Sequence, residues 1–363
     1  MTRVNTTTKR ASVRDLAAKL GVSTATVSRA LNNHPEVASD TRARVIEMAR
    51  SVGYSLPTSP RHQNRTTTIG LVYPTDPVRP DQGSFESSML SGVLAGVNEQ
   101  RFDVMWLNLE RDKSPEESYT AFFHRKNCAG VLVRSIVPNS TVAEEIAQEG
   151  FPFVLLADRC PHPAASFIES DSRADSMRAV EHLAHLGHER IALVVHAILD
   201  ADHQDRRDGY LEGMRAVGLP VDDSLILRSV GTLDGGRQSI DRAMAMEDPP
   251  TAMYITTPPA TLGALQRCLE LGVRVPEDIS IIGFDDSDTR LHAFPRYTSV
   301  CQDAQQMGFE SARWLTRTLM GMSPGPLRDR RPTTFVIQNS TGIRPTHVLQ
   351  LGPKGVERIQ VGA

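Results

Sequence analysis

From residue 68 onward the chain alternates short, unbroken apolar runs with helical patterns. Few folds accommodate that rhythm. The runs are 68–74 (TIGLVYP), 102–108 (FDVMWLN), 130–135 (GVLVRS), 153–158 (FVLLAD), 190–196 (RIALVVH), 252–257 (AMYITT) and 279–286 (ISIIGFDD). A strand with one wet face alternates apolar and polar residues, whereas a strand buried on both faces reads as a continuous apolar run. Strand–helix–strand repetition of this kind predicts parallel sheets covered by helices. Roughly 275 residues carry the pattern, too many for one ordinary domain, so two lobes are expected.

Composition narrows the field further. With 40% apolar and 23% charged residues, the chain reads as ordinary globular protein rather than a disordered one. Cys128, Cys160, Cys268 and Cys301 are scattered without C-x-x-C spacing, which argues against a disulfide framework or a cysteine zinc site and fits a reducing, cytoplasmic setting. The first residues, MTRVNTTTKRASVRD, lack the apolar stretch of a secretory signal, and no run nears the length of a membrane span. Nucleotide-binding glycine motifs are absent, so no cofactor is expected. A catalytic carboxylate pair has only Asp285–Asp286 to draw on. Adjacent residues point different ways, which argues against an enzyme. Trp106 and Trp314 lie in apolar patterns and are expected in the core.

The amino-terminal end differs in charge. Residues 1–66 hold eleven Lys/Arg against four acids, a balance of +7, while the remainder sums to −10. A basic head on an acidic body suggests a polyanion-binding module. Its sequence reads as short helices. Ser12 and Asp15 have capping-box spacing ahead of Val13, Leu16, Ala17 and Leu20. Gly21 stops that helix, and Ser23 caps a second one carrying Ala25, Val27, Ala30 and Leu31. Ser39 opens a third. Two helices joined at Gly21-Val22-Ser23 make a helix-turn-helix. The second turns Thr24, Ala25, Ser28 and Arg29 away from its apolar side, a face fit to enter a major groove. Arg29 could read guanine through two parallel hydrogen bonds. Ser23, Thr26 and Ser28 carry short hydroxyls suited to phosphate oxygens.

The segment 11–54 closely resembles the DNA-binding headpiece of the lac repressor/galactose repressor family of bacterial transcription factors. The matching residues are Val13-Arg-Asp-Leu-Ala17, Gly21-Val-Ser23, Ala25-Thr-Val-Ser-Arg-Ala-Leu-Asn32, Val37 and Thr41-Arg42. The resemblance continues through Ile69-Gly-Leu-Val-Tyr-Pro74, His182–Ile191, Arg206–Gly213 and Pro276–Asp286. It implies an all-α helix-turn-helix headpiece (11–55), a linker or hinge (56–66), and an α/β two-lobed periplasmic-binding-protein-like core with parallel sheets (67–345). The expected lobes are about 67–168 with 299–322, and 169–296 with 323–345, with three crossings between them. Residues 346–363 show no periodic pattern and read as a loose tail.

By the same resemblance the chain is a homodimeric regulator, expected to repress, that binds a pseudo-palindromic double-stranded DNA operator. A small molecule between the lobes, expected to be a sugar or sugar derivative, would control operator affinity. The alternative is a soluble sugar-binding receptor without a DNA function. Asn32, Thr41 and Arg61 join the expected DNA contacts. Ligands of open parallel sheets bind outside the carboxyl ends of the strands, where Asp158 and Asp285 fall. The resemblance assigns effector contact to Asp158, Arg206 and Asp285, with Phe85 and Gln302 beside them.

Two departures stand out. Thr257 and Pro258 occupy the place of the family's Asn-Asp pair, so a cleft amide is missing. In the linker, Pro60 and Gln63 replace residues of the family's hinge helix, which puts minor-groove insertion in doubt. Arg61 and Arg65 could still follow phosphates. His182, His185 and His188 are spaced by three, but Gly187 is expected to end their helix first. They are read as capping or surface residues, not metal ligands.

Overall fold

The structure is a computed structural model, and it describes residues 12–31, 37–52, 66–73, 83–135, 140–322, 325–353 and 355–360. It divides into two compact units, Met1–Thr66 and Thr67–Ala363. Asn32, Arg61 and the linker residues Pro60, Gln63 and Arg65 lie outside the described residues.

In the first unit, α1 spans Val13–Leu20, α2 Thr24–Leu31 and α3 Ser39–Ser51. Both ends of α1 have a local cause. The Ser12 hydroxyl accepts from the Asp15 N–H while the Asp15 carboxylate accepts from the Ser12 N–H, closing a capping box. Gly21 ends α1 in the left-handed region at φ 66°, where a Cβ would be strained. Leu16, Ala17, Val27, Ala30, Val37, Val45 and Ala49 form the shared core.

The second unit holds two six-stranded sheets. Its elements run β1 (Thr68–Tyr73), α4 (Gly83–Asn98), β2 (Asp103–Asn108), α5 (Leu109–Asp112), α6 (Tyr119–Arg125), β3 (Gly130–Arg134), α7 (Val142–Glu149), β4 (Phe153–Leu156) and β5 (Phe167–Asp171). They continue through α8 (Arg173–His185), β6 (Ile191–His196), α9 (Ala201–Ala216), β7 (Ile226–Ser229), α10 (Leu233–Met244), β8 (Ala252–Ile255), α11 (Pro258–Glu270) and β9 (Ser280–Asp285). The chain ends with β10 (Thr298–Cys301), α12 (Ala304–Leu319), β11 (Arg328–Pro332), β12 (Thr334–Val336), β13 (His347–Gly352) and β14 (Gly355–Gln360).

The first sheet is ordered β11-β5-β4-β3-β1-β2, parallel throughout. The second is ordered β12-β10-β9-β8-β6-β7, parallel except for β12. Strand order reverses between β1 and β3 in one lobe, and between β6 and β8 in the other. Such switch points open crevices at the carboxyl ends of the strands.

The chain passes between lobes at 171–173, 301–304 and 332–334. Two of these passages differ from the sequence expectation. Residues 298–301 stay in the second sheet as β10. Residues 328–332 return to the first as β11, pairing with β5 from Arg328↔Phe167 to Pro332↔Asp171. The run Arg328-Asp-Arg-Arg-Pro332 carries no apolar signal because it is a wet edge strand.

Three further expectations are corrected. Residues 347–360 form an antiparallel hairpin rather than a loose tail, anchored by buried Leu349 and by Arg358 and His347 on the Asp278 carboxylate. His188 is 1% exposed and lies within the second lobe, its ring bonding Thr251 Oγ1 at 2.8 Å and Ser280 Oγ at 3.0 Å. Trp106 sits on the edge strand β2, 42% exposed and stacked on Tyr73 at 4.4 Å, instead of in the core. Among the described residues, no helix is long and apolar enough to cross a membrane, and no group of His, Cys, Asp and Glu is placed to hold a metal ion.

Candidate functional site

In the headpiece, Val27 and Ala30 pin α2 to the core, so Thr24, Ala25, Ser28 and Arg29 fall on its exposed side. Ser23 caps the helix by accepting from the Thr26 N–H at 3.0 Å, and its hydroxyl also bonds the Thr26 hydroxyl at 2.8 Å. One of those two hydroxyl protons is spent in the mutual bond. The other remains to donate outward. Thr41 is half-buried on α3, and the Arg42 guanidinium donates to the Val37 carbonyl at 3.0 Å, tying α3 to the segment before it.

The second site lies where the strand ends of the two sheets face one another. From the first lobe come Phe85 and Glu86 of α4, Tyr73 at the end of β1, Arg134 at the end of β3, and Asp158 just past β4. Ala157 precedes that aspartate with φ 52°, a conformation rare for a residue with a side chain and concentrated at functional turns. Arg134 is buried, donating to Glu86 at 3.1 Å, with its guanidinium 5.2 Å from the Phe85 ring centroid. Tyr73 donates its hydroxyl proton to Glu86, and burial beside that carboxylate pushes the phenol well above its usual range.

The second lobe contributes α9 and the ends of β6, β8, β9 and β10. Asp200 caps α9 and receives the His203 N–H at 2.9 Å and the His203 ring at 2.7 Å. Burial opposes ionisation of Asp200, but the neighbouring imidazole and Arg134 hold its carboxyl well below the usual range. Arg206, 4% exposed, donates to the Thr256 carbonyl at 2.8 Å, and its guanidinium lies 3.7 Å from the Phe284 ring centroid. Thr257 begins α11 without capping it through its side chain.

Asp158, Arg206, Phe85 and Gln302 therefore all belong to this crevice region, Asp158 half-buried and its Oδ1 accepting the Arg159 N–H at 2.8 Å. Asp285 does not present a free carboxylate to it. Its oxygens are taken by the Arg290 guanidinium at 2.7 Å and the Thr289 N–H at 3.1 Å, which fold the 288–291 turn against the strand end. The next residue, Asp286, faces Gln302, receiving its side-chain amide at 2.6 Å. Burial pushes the Asp286 carboxyl up to about 6, with Arg206 opposing. Sequence reasoning missed Tyr73, Glu86, Arg134, Asp200, Asp202 and Asp286 at the crevice. Asp202 had a signal, because it lies four residues before Arg206 and shares its helix face.

Bacterial regulatory proteins of the lacI family match this chain over residues 12–56, and the periplasmic binding protein-like domain matches residues 180–341. The transcriptional regulator MalR of Streptomyces coelicolor is 30% identical over 323 residues, covering 86% of this chain and 91% of MalR. The chain belongs to the lacI family. Its LacI-family relatives include the repressor CytR of Escherichia coli, 29% identical over 341 residues, covering 92% of this chain and 97% of CytR. Among solved LacI-family structures, the regulator CelR in complex with cellobiose superposes with a TM-score of 0.65 at 27% identity, covering 91% of this chain and all of CelR. The protein is thus a DNA-binding transcriptional regulator with an effector-binding body, and its family is one of regulators rather than enzymes.

Proposed function

We propose that this regulator is a homodimeric repressor. Its two headpieces occupy half-sites of a pseudo-palindromic operator about one helical turn apart, and a sugar-like effector between the lobes sets operator affinity. The observation that carries the reading is the exposed face of α2 within an amino-terminal region, residues 1–66, of net charge +7. Ser23, Thr24, Ala25, Thr26, Ser28, Arg29 and Thr41 form the contact set, with Arg29 reading a base edge and the hydroxyls holding phosphates. Asn32 and Arg61 extend that set in sequence.

The effector set is Phe85, Asp158, Arg206 and Gln302, joined by Arg134, Asp202 and Asp286. Asp285 acts through Arg290 by fixing the loop beside the crevice. Cellobiose in the complex of the similar regulator CelR supports a carbohydrate-like ligand. The second copy covers the outer edge of the first sheet, where β2 exposes Met105 and Trp106, an apolar edge that a monomer would leave open to aggregation.

Arg29→Ala tests the reading. A gel-shift titration with an operator obtained by in-vitro selection on the wild-type protein, and with random duplex, should show discrimination falling by about 1–3 kcal/mol, with non-specific affinity little changed. Unchanged discrimination would remove Arg29 from the base-reading role.

A further inference from the structure

The described residues of the crevice offer a ligand acceptors far more than donors. Among the described residues, five carboxylates, from Glu86, Asp158, Asp200, Asp202 and Asp286, share it with two guanidinium groups, those of Arg134 and Arg206. Glu86 is paired with Arg134 at 3.1 Å, and Asp200 accepts a hydrogen bond from the neutral His203 ring at 2.7 Å. Arg206 is left to serve both Asp202 and Asp286.

Asp202 is the least satisfied of these groups. It is 4% exposed, its Oδ1 is buried without a hydrogen-bond partner, and its Oδ2 lies 3.8 Å from the Arg206 Nη2. Burial raises its carboxyl above the usual range, with Arg206 opposing. Gln302 is 8% exposed and gives its amide to Asp286, while its Oε1 accepts nothing. His203 spends Nδ1 on Asp200, and its buried Nε2 has no partner. The one unpartnered donor among these groups is the Arg206 Nε.

A buried acceptor without a donor carries its desolvation penalty uncompensated, so a ligand gains most by supplying donors there. A phosphate or carboxylate would add negative charge and acceptors to a region already rich in both. Neutral hydroxyls would supply donors but no charge. An ammonium supplies three donors and the missing positive charge together.

We propose that the effector is a polyhydroxylated amine, such as an amino sugar, whose cationic nitrogen seats against Asp202 and Gln302. This rests on the reading of the crevice as the effector site. It goes beyond that reading in fixing the ligand's charge.

The test uses the full chain and a bacterial metabolite extract resolved by ion exchange into cationic, neutral and anionic pools. Glucosamine, galactosamine and mannosamine are run beside their parent hexoses and hexose 6-phosphates. Thermal stability and operator affinity are both read. The expected result is a rise in Tm and a change in operator affinity with the cationic pool and with at least one amino sugar. Asp202→Asn should weaken that response at least tenfold while binding operator normally. Gln302→Met, which keeps the side-chain length and removes the acceptor, should weaken it as well. Stabilisation confined to the neutral or anionic pool overturns the proposal and leaves the effector reading standing. An amine response unchanged in both variants overturns the placement at Asp202 and Gln302. No response to any pool removes the effector reading and this proposal together.

Discussion

At the scale of single residues, the second lobe hides a titrating group. His188 is buried among Thr251, Ser280 and the Gly342 carbonyl, and burial lowers its imidazole to about 4. An unfolded histidine titrates near 6.5. As pH falls below that value the unfolded chain takes up a proton that the folded chain refuses. Stability is therefore lost between about pH 6.5 and about pH 4, amounting to about 2 kcal/mol by pH 5. Urea melts of the wild type and His188→Gln at pH 7 and pH 5 should show the variant losing less stability than the wild type over that interval. Equal losses would assign the acid sensitivity elsewhere. The residue also marks a limit of sequence reading. Gly187-His188-Glu189 reads as a polar helix end, and only partners 63 and 92 positions away make it a core residue. Asp285 and Asp286 pose the same difficulty at closer range. Both end one strand, and which carboxylate meets Arg290 and which meets Gln302 depends on the turn that follows.

At the scale of elements, legibility tracks how local the cause is. The headpiece caps were readable because Ser12, Asp15, Gly21 and Ser23 act within four residues of themselves. The parallel strands were readable because burial on both faces leaves continuous apolar runs. Strand β11 was not, because its partner β5 is distant and its outer face wet, and the terminal hairpin was not, because its anchor Asp278 is distant and its strands are largely wet. The seat of α12 on α4 was equally invisible. There the two helix backbones touch: a Cβ on Gly92 would lie 1.8 Å from the Gln305 carbonyl oxygen, and one on Gly308 would lie 2.1 Å from that of Met89. This contact holds the returning segment on the first lobe. In an isolated helix, Gly92→Ala would gain about 1 kcal/mol of helix propensity. Against a backbone oxygen that cannot swing away, overpacking costs typically 1–3 kcal/mol and occasionally more. The clash should win, and the denaturation midpoint of Gly92→Ala should fall. A midpoint that rises instead would mean that the helices separate without cost.

At the scale of the whole effector-binding unit, the lobes are joined by an ion cluster as well as by three chain crossings. Asp205 of α9 in the second lobe meets Arg159 at 3.1 Å and Arg330 at 3.9 Å, both from the first lobe. Those arginines are also held by Glu169 of β5, at 3.4 Å and 2.7 Å. Glu169 and Asp205 are almost fully buried, so solvent screens the cluster less than it would an exposed pair. Asp205 lies one residue before Arg206 and three after Asp202, so one helix carries both the interlobe latch and the proposed effector groups. An effector that bridges the lobes must bind the closed arrangement better than the open one, and whatever favours closure raises its apparent affinity. Asp205→Asn removes the charge that joins the lobes and leaves both arginines a partner in Glu169. A charge-assisted hydrogen bond contributes about 1.5–3 kcal/mol. Partial retention by the asparagine and the remaining pairs reduces the loss to roughly a tenfold weakening of apparent effector affinity. Operator affinity without effector should stay within about twofold, because the headpiece residues are untouched. High salt should narrow the gap between wild type and variant. Unchanged effector affinity in Asp205→Asn would show that the lobes close without this cluster, leaving the crevice side chains to hold them together.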